Sequence, residues 1–174
     1  MNCQPTCAAR LGYDAINLSF QELESLMAHN RQDWATALGH VKGIYLITDT
    51  HSLPRYLGSA YGEWGVWSRW RVYTELGHGG NAGMRELLKG HDLSHCRQHF
   101  RFTLLEHHDA RTDDMTVLSR ETYWKEVLDT RSVETGLNRN YARAQSARPP
   151  DDRRRVPSEY QYQSRWRYFG GHPD

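Results

Sequence analysis

The chain has 174 residues and a mass of 20.3 kDa, enough for one domain with appendages and a core that needs no disulfide staples. With 38% hydrophobic and 25% charged residues and a mean hydropathy of −0.82, no apolar run approaches the roughly 20 residues of a membrane helix, and the polar first 30 residues exclude a signal-peptide core, so a cytoplasmic protein without membrane contact is expected. The net charge of +1 hides a gradient: residues 1–40 sum to −2, residues 41–140 to zero, and residues 141–174 to +3.

Residues 1–40 read as a helical lead-in. Leu18-Ser19-Phe20-Gln21-Glu22-Leu23 opens a helix, with Ser19 as cap, Glu22 closing a capping box and Leu18 stapling to Leu23. That helix continues through Leu26 and Met27, and a second short one spans Trp34 to Leu38. Val41 to Asp49 (VKGIYLITD) is β-branched and aromatic and reads as a strand. TDTHSLP is a turn, and Arg55 to Ala60 (RYLGSA) is the partner strand of a hairpin. GVWSRWRVYTEL then carries Val66, Trp70 and Tyr73 at helical spacing. Gly77 to Asn81 (GHGGN) forms a loop before a short helix at Met84–Leu88. Phe100 to Leu105 is a third strand, His107 to Asp114 a polar loop, and Val117 to Leu128 the best helix in the chain. From residue 141 the chain is rich in Arg, Pro and Gln and poor in aliphatic residues, which predicts a mobile tail with local structure at most around Trp166–Phe169. Its Arg and aromatic residues suit nucleic acid, and a tail without a role is the competing reading.

Two charged residues lie on apolar stripes. Val117, Trp124 and Leu128 share one face of the last helix, and Glu121 falls on the same stripe. A carboxylate there demands a partner: an arginine in an ion pair, or a metal ion. Arg69 sits between Trp67 and Trp70 with Tyr73 four positions on, so it either stacks on tryptophan or meets a phosphate from a pocket wall. Tyr45 and Tyr56 lie in the paired strands, each close to a glycine, Gly43 and Gly58, that permits close backbone approach. The three cysteines, Cys3, Cys7 and Cys96, are too few and too scattered for a disulfide framework, and Cys3 with Cys7 lacks the second half of a zinc site.

These residues fall in an order that resembles the GIY-YIG nuclease superfamily, as represented by its stand-alone bacterial and phage-type members. The first motif is Gly43-Ile44-Tyr45 and the second Tyr56-Leu57-Gly58, with leucine where isoleucine or valine is common. The family's arginine falls on Arg69, its following His or Tyr on Tyr73, its metal-binding glutamate on Glu121 and its late asparagine on Asn138. The resemblance spans 41–140. It implies an α/β (α+β) domain in which a small three-stranded antiparallel sheet is flanked by helices, with the catalytic groups on one sheet face.

The implied activity is endonucleolytic hydrolysis of DNA with one divalent cation, Mg²⁺ or Mn²⁺, held by Glu121. The motifs do not separate DNA from RNA. Arg69 would neutralise the scissile phosphate and Tyr45 would position or deprotonate the water. A phenol ionises near pH 10, so the latter role needs a lowered pKa, which Arg69 and the metal can supply, or a concerted proton relay. Tyr56 and Tyr73 would orient water or phosphate, Tyr45 and Tyr56 can exchange roles, and Asn138 would support the site. His40, Lys42, Gly58, Ser59, Arg71 and Asn81 are the candidate substrate contacts. For His40 and Lys42 a solvated strand end competes, and for Asn81 a helix N-cap. A restriction-like or mobile-element setting is weakly preferred, and a double-strand cut would call for a homodimer. Two other classes compete: a non-catalytic nucleic-acid-binding or interaction module on the same fold, and a zinc-supported structural protein.

Overall fold

The structure, a computed structural model, describes residues 12–132 and 134–138. The expected tail and the cysteine pair Cys3 and Cys7 lie outside the described residues. A 3-10 turn at Tyr13–Ala15 leads into β1 (Asn17–Ser19), α1 (Phe20–Ala28), α2 (Gln32–Gly39), the hairpin β2 (Val41–Asp49) and β3 (Arg55–Ala60), α3 (Gly65–Leu76), α4 (Ala82–Leu87), α5 (Leu93–His99), β4 (Phe100–Asp109) and α6 (Asp114–Val127). The class is mixed α/β, with an antiparallel sheet flanked by helices.

Four strands, not three, form the sheet among the described residues, in the order β1-β4-β2-β3. The additional strand is three residues long and pairs Leu18 with Phe102 at the far edge. A strand so short has no readable period; its partner defines it. The third expected strand also runs further than its apolar part. His107, His108 and Asp109 continue β4 opposite Gly43, Lys42 and Val41, so the expected polar loop begins later. Helix α5, which the polar stretch LSHCRQH conceals, starts at an Asp92 cap that accepts from the Ser94 N–H at 2.8 Å. The hairpin strands and α3 match their expected bounds.

Local chemistry explains the main starts. Ser19 and Glu22 form the reciprocal capping box, with the Ser19 N–H donating to Glu22 Oε2 at 2.7 Å. The sheet then sorts the helices by alternation. One face carries Val41, Tyr45, Ile47, Tyr56 and Ala60 against the helices before β4, around the buried rings of Trp34, Trp70, Tyr73, Phe20 and Phe102. Ile16, Leu23 and Leu38 belong to the same core, so the lead-in is built into the body that holds the hairpin. The other face carries Ile44, Leu57, Leu46 and Leu105 beneath Val117, Trp124 and Leu128 of α6 and its end. A register shift between Ile44 and Tyr45 leaves Leu105 as an extra residue on β4, a bulge beside the first tyrosine.

The outer edge of β3 is treated differently along its length. Near its start, the Arg55 N–H donates to the Thr135 carbonyl and the Leu137 N–H to the Arg55 carbonyl, both at 2.9 Å. Asn138 extends the ladder with its side chain, accepting from the Leu57 N–H at 2.9 Å and donating to the Leu57 carbonyl at 2.7 Å. Beyond Leu57 the edge is left to a cleft, where the candidate residues gather.

Candidate active site

The cleft, of about 550 Å³, lies over the open half of β3 between α3 and α6. Tyr56, Ser59 and Tyr61 come from the strand and its end, Ser68 and Arg69 from α3, and Glu121 from α6. Alternation along β3 sends Tyr56 to the α3 face and Ser59 to the α6 face. Only at an edge can both faces open into one cavity, which is how residues 56, 69 and 121 meet.

A buried phenol cluster forms the base of the α3 wall. Tyr45 and Tyr73 are fully buried, with hydroxyls 3.1 Å apart. Arg69 donates Nε to Tyr45 Oη at 3.1 Å and Nη2 to Tyr73 Oη at 3.3 Å, and its guanidinium lies 5.2 Å from the Tyr73 ring centre. Its aromatic partner is therefore a tyrosine, not one of the flanking tryptophans. Arg69 makes no ion pair with a carboxylate among the described residues. Burial opposes its charge, but the phenol oxygens of Tyr45, Tyr73 and Tyr56 outweigh this and raise its pKa, so the cation persists.

The same burial overturns one expectation. Tyr45 does not acquire a lowered pKa. Desolvation pushes it well up, the neighbouring Tyr56 adds to this, and the pull of Arg69 does not compensate. Tyr73 is shifted upward as well, again chiefly by burial. Both stay neutral at ordinary pH. Tyr56 differs: it lines the cleft.

Gly58 is required by this cluster. Tyr45 pairs with Gly58 across the hairpin, and its ring crosses the glycine. A Cβ at position 58 would lie 2.5 Å from Tyr45 Oη and 2.6 Å from its Cζ. Gly58 is thus required by packing. Gly79 in the GHGGN loop serves Tyr73 similarly. It adopts φ +53°, and a side chain there would drive into the Tyr73 ring.

Glu121 faces the cleft and is paired, though not with an arginine. Lys125, four residues on, places Nζ 2.5 Å from Glu121 Oε1, and Ser59 Oγ donates to Oε2 at 2.6 Å. The i, i+4 spacing of Glu121 and Lys125 was visible in the sequence as a helix ion pair. Among the described residues, no three His, Cys, Asp or Glu side chains form a group able to hold a metal ion. A one-carboxylate Mg²⁺ site needs no such group, because waters and substrate phosphate complete the shell. Glu121 fits that description, with Lys125 as the cation a metal would displace.

The remaining candidates divide. Lys42 is occupied by the Thr112 carbonyl at 2.6 Å and Asp114 Oδ1 at 2.7 Å, where it anchors the start of α6 to β2. Asn81 caps α4, accepting from the Met84 N–H at 3.0 Å. Asn138 is buried against Leu57 and holds the second motif in place without lining the cleft. His40 and Arg71 are exposed and line a different groove, on the far flank of α3. No protein-family model matches the chain, and neither curated proteins nor solved structures give a match.

Proposed function

We propose that the chain is a metal-dependent endonuclease of GIY-YIG type that hydrolyses phosphodiester bonds in DNA. The observation that carries the reading is Arg69, a cation without an ion-pair partner among the described residues, sharing a cleft with the carboxylate of Glu121 and the phenol of Tyr56. A bare cation favours an anionic ligand, and a guanidinium fork matches phosphate oxygens.

In the proposed reaction Arg69 binds the scissile phosphate and neutralises the charge that grows on it. Tyr45 and Tyr73 hold the guanidinium in place as neutral acceptors. Tyr56 accepts a hydrogen bond from the attacking water and orients it toward phosphorus. The water oxygen–phosphorus bond forms as the bond from phosphorus to the leaving deoxyribose 3′ oxygen breaks; the water's proton passes to bulk water, and bulk water returns one to the leaving oxygen. Glu121 would hold Mg²⁺ or Mn²⁺, which when bound supplies charge neutralisation at the leaving oxygen. Ser59 fixes the carboxylate through its hydroxyl. A double-strand cut by one such site calls for two copies.

One contact favours a second reading, a nucleic-acid-binding module without catalysis. Lys125 already neutralises Glu121, so the carboxylate is balanced without a metal and the cleft keeps the charge of Arg69 for an anionic ligand. Plasmid cleavage with Mg²⁺ separates the two. Discrete cuts by the wild type that vanish in Glu121→Ala, in Arg69→Ala and without metal support the nuclease. A folded wild type that cuts neither duplex, branched nor single-stranded DNA supports the binding module. Cutting that survives Glu121→Ala refutes the metal assignment.

A further inference from the structure

Helix α3 has a second working flank. On the side away from Arg69, a groove of about 480 Å³ runs between α3 and α2, with Trp64, Trp67 and Arg71 on one wall and Gln32, Thr36 and His40 on the other. Ser68 borders both this groove and the cleft, so it stands on the ridge between them.

The groove combines three kinds of group. Trp64 is 65% exposed, an unusual position for an indole in a chain that buries Trp34 and Trp70 completely. Trp67, three residues on, is buried and forms the wall behind it. Arg71 lies four residues beyond Trp67 on the same helix face. It is exposed, and no carboxylate pairs with it among the described residues. On the facing wall, His40 donates from Nδ1 to the Thr36 carbonyl at 2.7 Å, since a carbonyl can only accept. Nε2 is left without a hydrogen-bond partner among the described residues, on the wall that also carries the amide of Gln32 and the hydroxyl of Thr36.

An open indole face, a planar cation without an anion, and a short row of neutral donors and acceptors match an unpaired nucleobase with its phosphate. The base can stack on Trp64 while the phosphate meets Arg71 and the base edge meets the polar wall. A base inside a duplex has both faces covered by its neighbours and cannot occupy such a site.

We propose that this groove is the subsite for an unpaired nucleotide of the strand whose phosphate lies against Arg69. The proposal rests on the nuclease reading and names the substrate class: a nucleic acid with a single-stranded segment beside the cut. The strand crosses the α3 ridge at Ser68, with Arg69 on one flank and Arg71 on the other.

Binding is measured by anisotropy of labelled oligonucleotides with EDTA present, so that no cleavage occurs. The full chain is compared with Trp64→Ala, Trp64→Phe and Arg71→Ala. The probes are a forked duplex with an unpaired arm and a blunt duplex of the same sequence, with the arm as DNA or as RNA to tell the two sources apart. The wild type is expected to prefer the fork by about tenfold, the scale of one base on one ring. Trp64→Ala should abolish the preference and Trp64→Phe restore part of it. Arg71→Ala should weaken fork binding and reduce its salt slope by about one. Circular dichroism melting checks that the variants fold. A wild type that binds fork and blunt duplex equally, or a preference that survives Trp64→Ala, overturns the subsite. If plasmid cutting still requires Arg69 and Glu121, the nuclease reading stands without it; if the wild type neither binds nor cuts, both fall.

Discussion

Tyr45 has its hydroxyl 3.1 Å from both Arg69 Nε and Tyr73 Oη, with no exposed surface, whereas Tyr56 reaches the cleft. This separates the two motif tyrosines by role. Tyr45→Phe is expected to cost about 1 kcal/mol of stability, the scale of one buried hydrogen bond, and to slow cleavage by loosening Arg69. Tyr56→Phe should leave stability nearly unchanged and slow cleavage by tenfold or more. Urea unfolding and plasmid cleavage on the same preparations test both; the opposite pattern would return the water-orienting role to Tyr45. Gly58→Ala pushes a methyl group into the Tyr45 ring and should destabilise by about 1–3 kcal/mol. Combining it with Tyr45→Phe should give no rescue, because the ring carbon Cζ is only 2.6 Å from the new methyl. Lys125→Ala removes the cation now on Glu121. If Mg²⁺ must displace it, the half-saturating Mg²⁺ concentration for cleavage should fall several-fold.

The edge of β3 shows the same economy one level up. Its first half is sealed by residues 135–138, and its second half is the floor of the cleft. Asn138 is the last seal, and it uses both ends of its amide on one residue, Leu57. Asn138→Asp keeps the shape but replaces the donor with a second acceptor against the Leu57 carbonyl. It should therefore destabilise more than Asn138→Ala, by about 2 kcal/mol or more relative to wild type, as read by urea unfolding. Equal effects of the two substitutions would mean that the amide's donor is not used. Helix α3 belongs to the same scale: Arg69, Ser68 and Arg71 fall on successive flanks, so one helix serves both cavities.

Across the whole molecule, the end of β2 is pinned by Asp49. Its carboxylate is buried and accepts from the His51 N–H at 2.9 Å, Ser52 Oγ at 2.6 Å and His95 Nε2 at 3.0 Å. Burial opposes its ionisation, but the three hydrogen bonds prevail and hold its pKa below the usual carboxylate value near 3.9. The folded state thus binds this proton less readily than the unfolded chain. The stabilisation is complete above about pH 4 and is lost as pH falls through the folded value. Asp49→Asn should lower stability at pH 7 by about 1–3 kcal/mol and shrink the stability difference between pH 7 and pH 3. Denaturant titrations at the two pH values measure this; an unchanged difference would show that other carboxylates set the acid limb. The membrane question is simpler: no described helix is long and apolar enough to cross a bilayer.

Much of this was readable before any coordinates. The hairpin strands, the capping box at Ser19 and Glu22, and the helix bearing Arg69 follow from period-2 and period-3.6 patterns and from cap chemistry, which are local. The partner of Glu121 is expected from the sequence to be an arginine or a metal; Lys125, one helix turn on, is the signal which that reading passes over. Strand β1 and the polar end of β4 were not legible, because each is a strand only through the neighbour it pairs with. Nor could the sequence show that Tyr45 is fully sealed while Tyr56 lines the cleft: both sit on the same face of adjacent strands, and only the packing of α3 over them separates the two. The pairing of Asn138 with Leu57, 81 residues away, is of the same kind. Residue type and spacing determined which groups are available to bind and react. Tertiary structure alone decided which of them are dry, which are paired, and which face a common space.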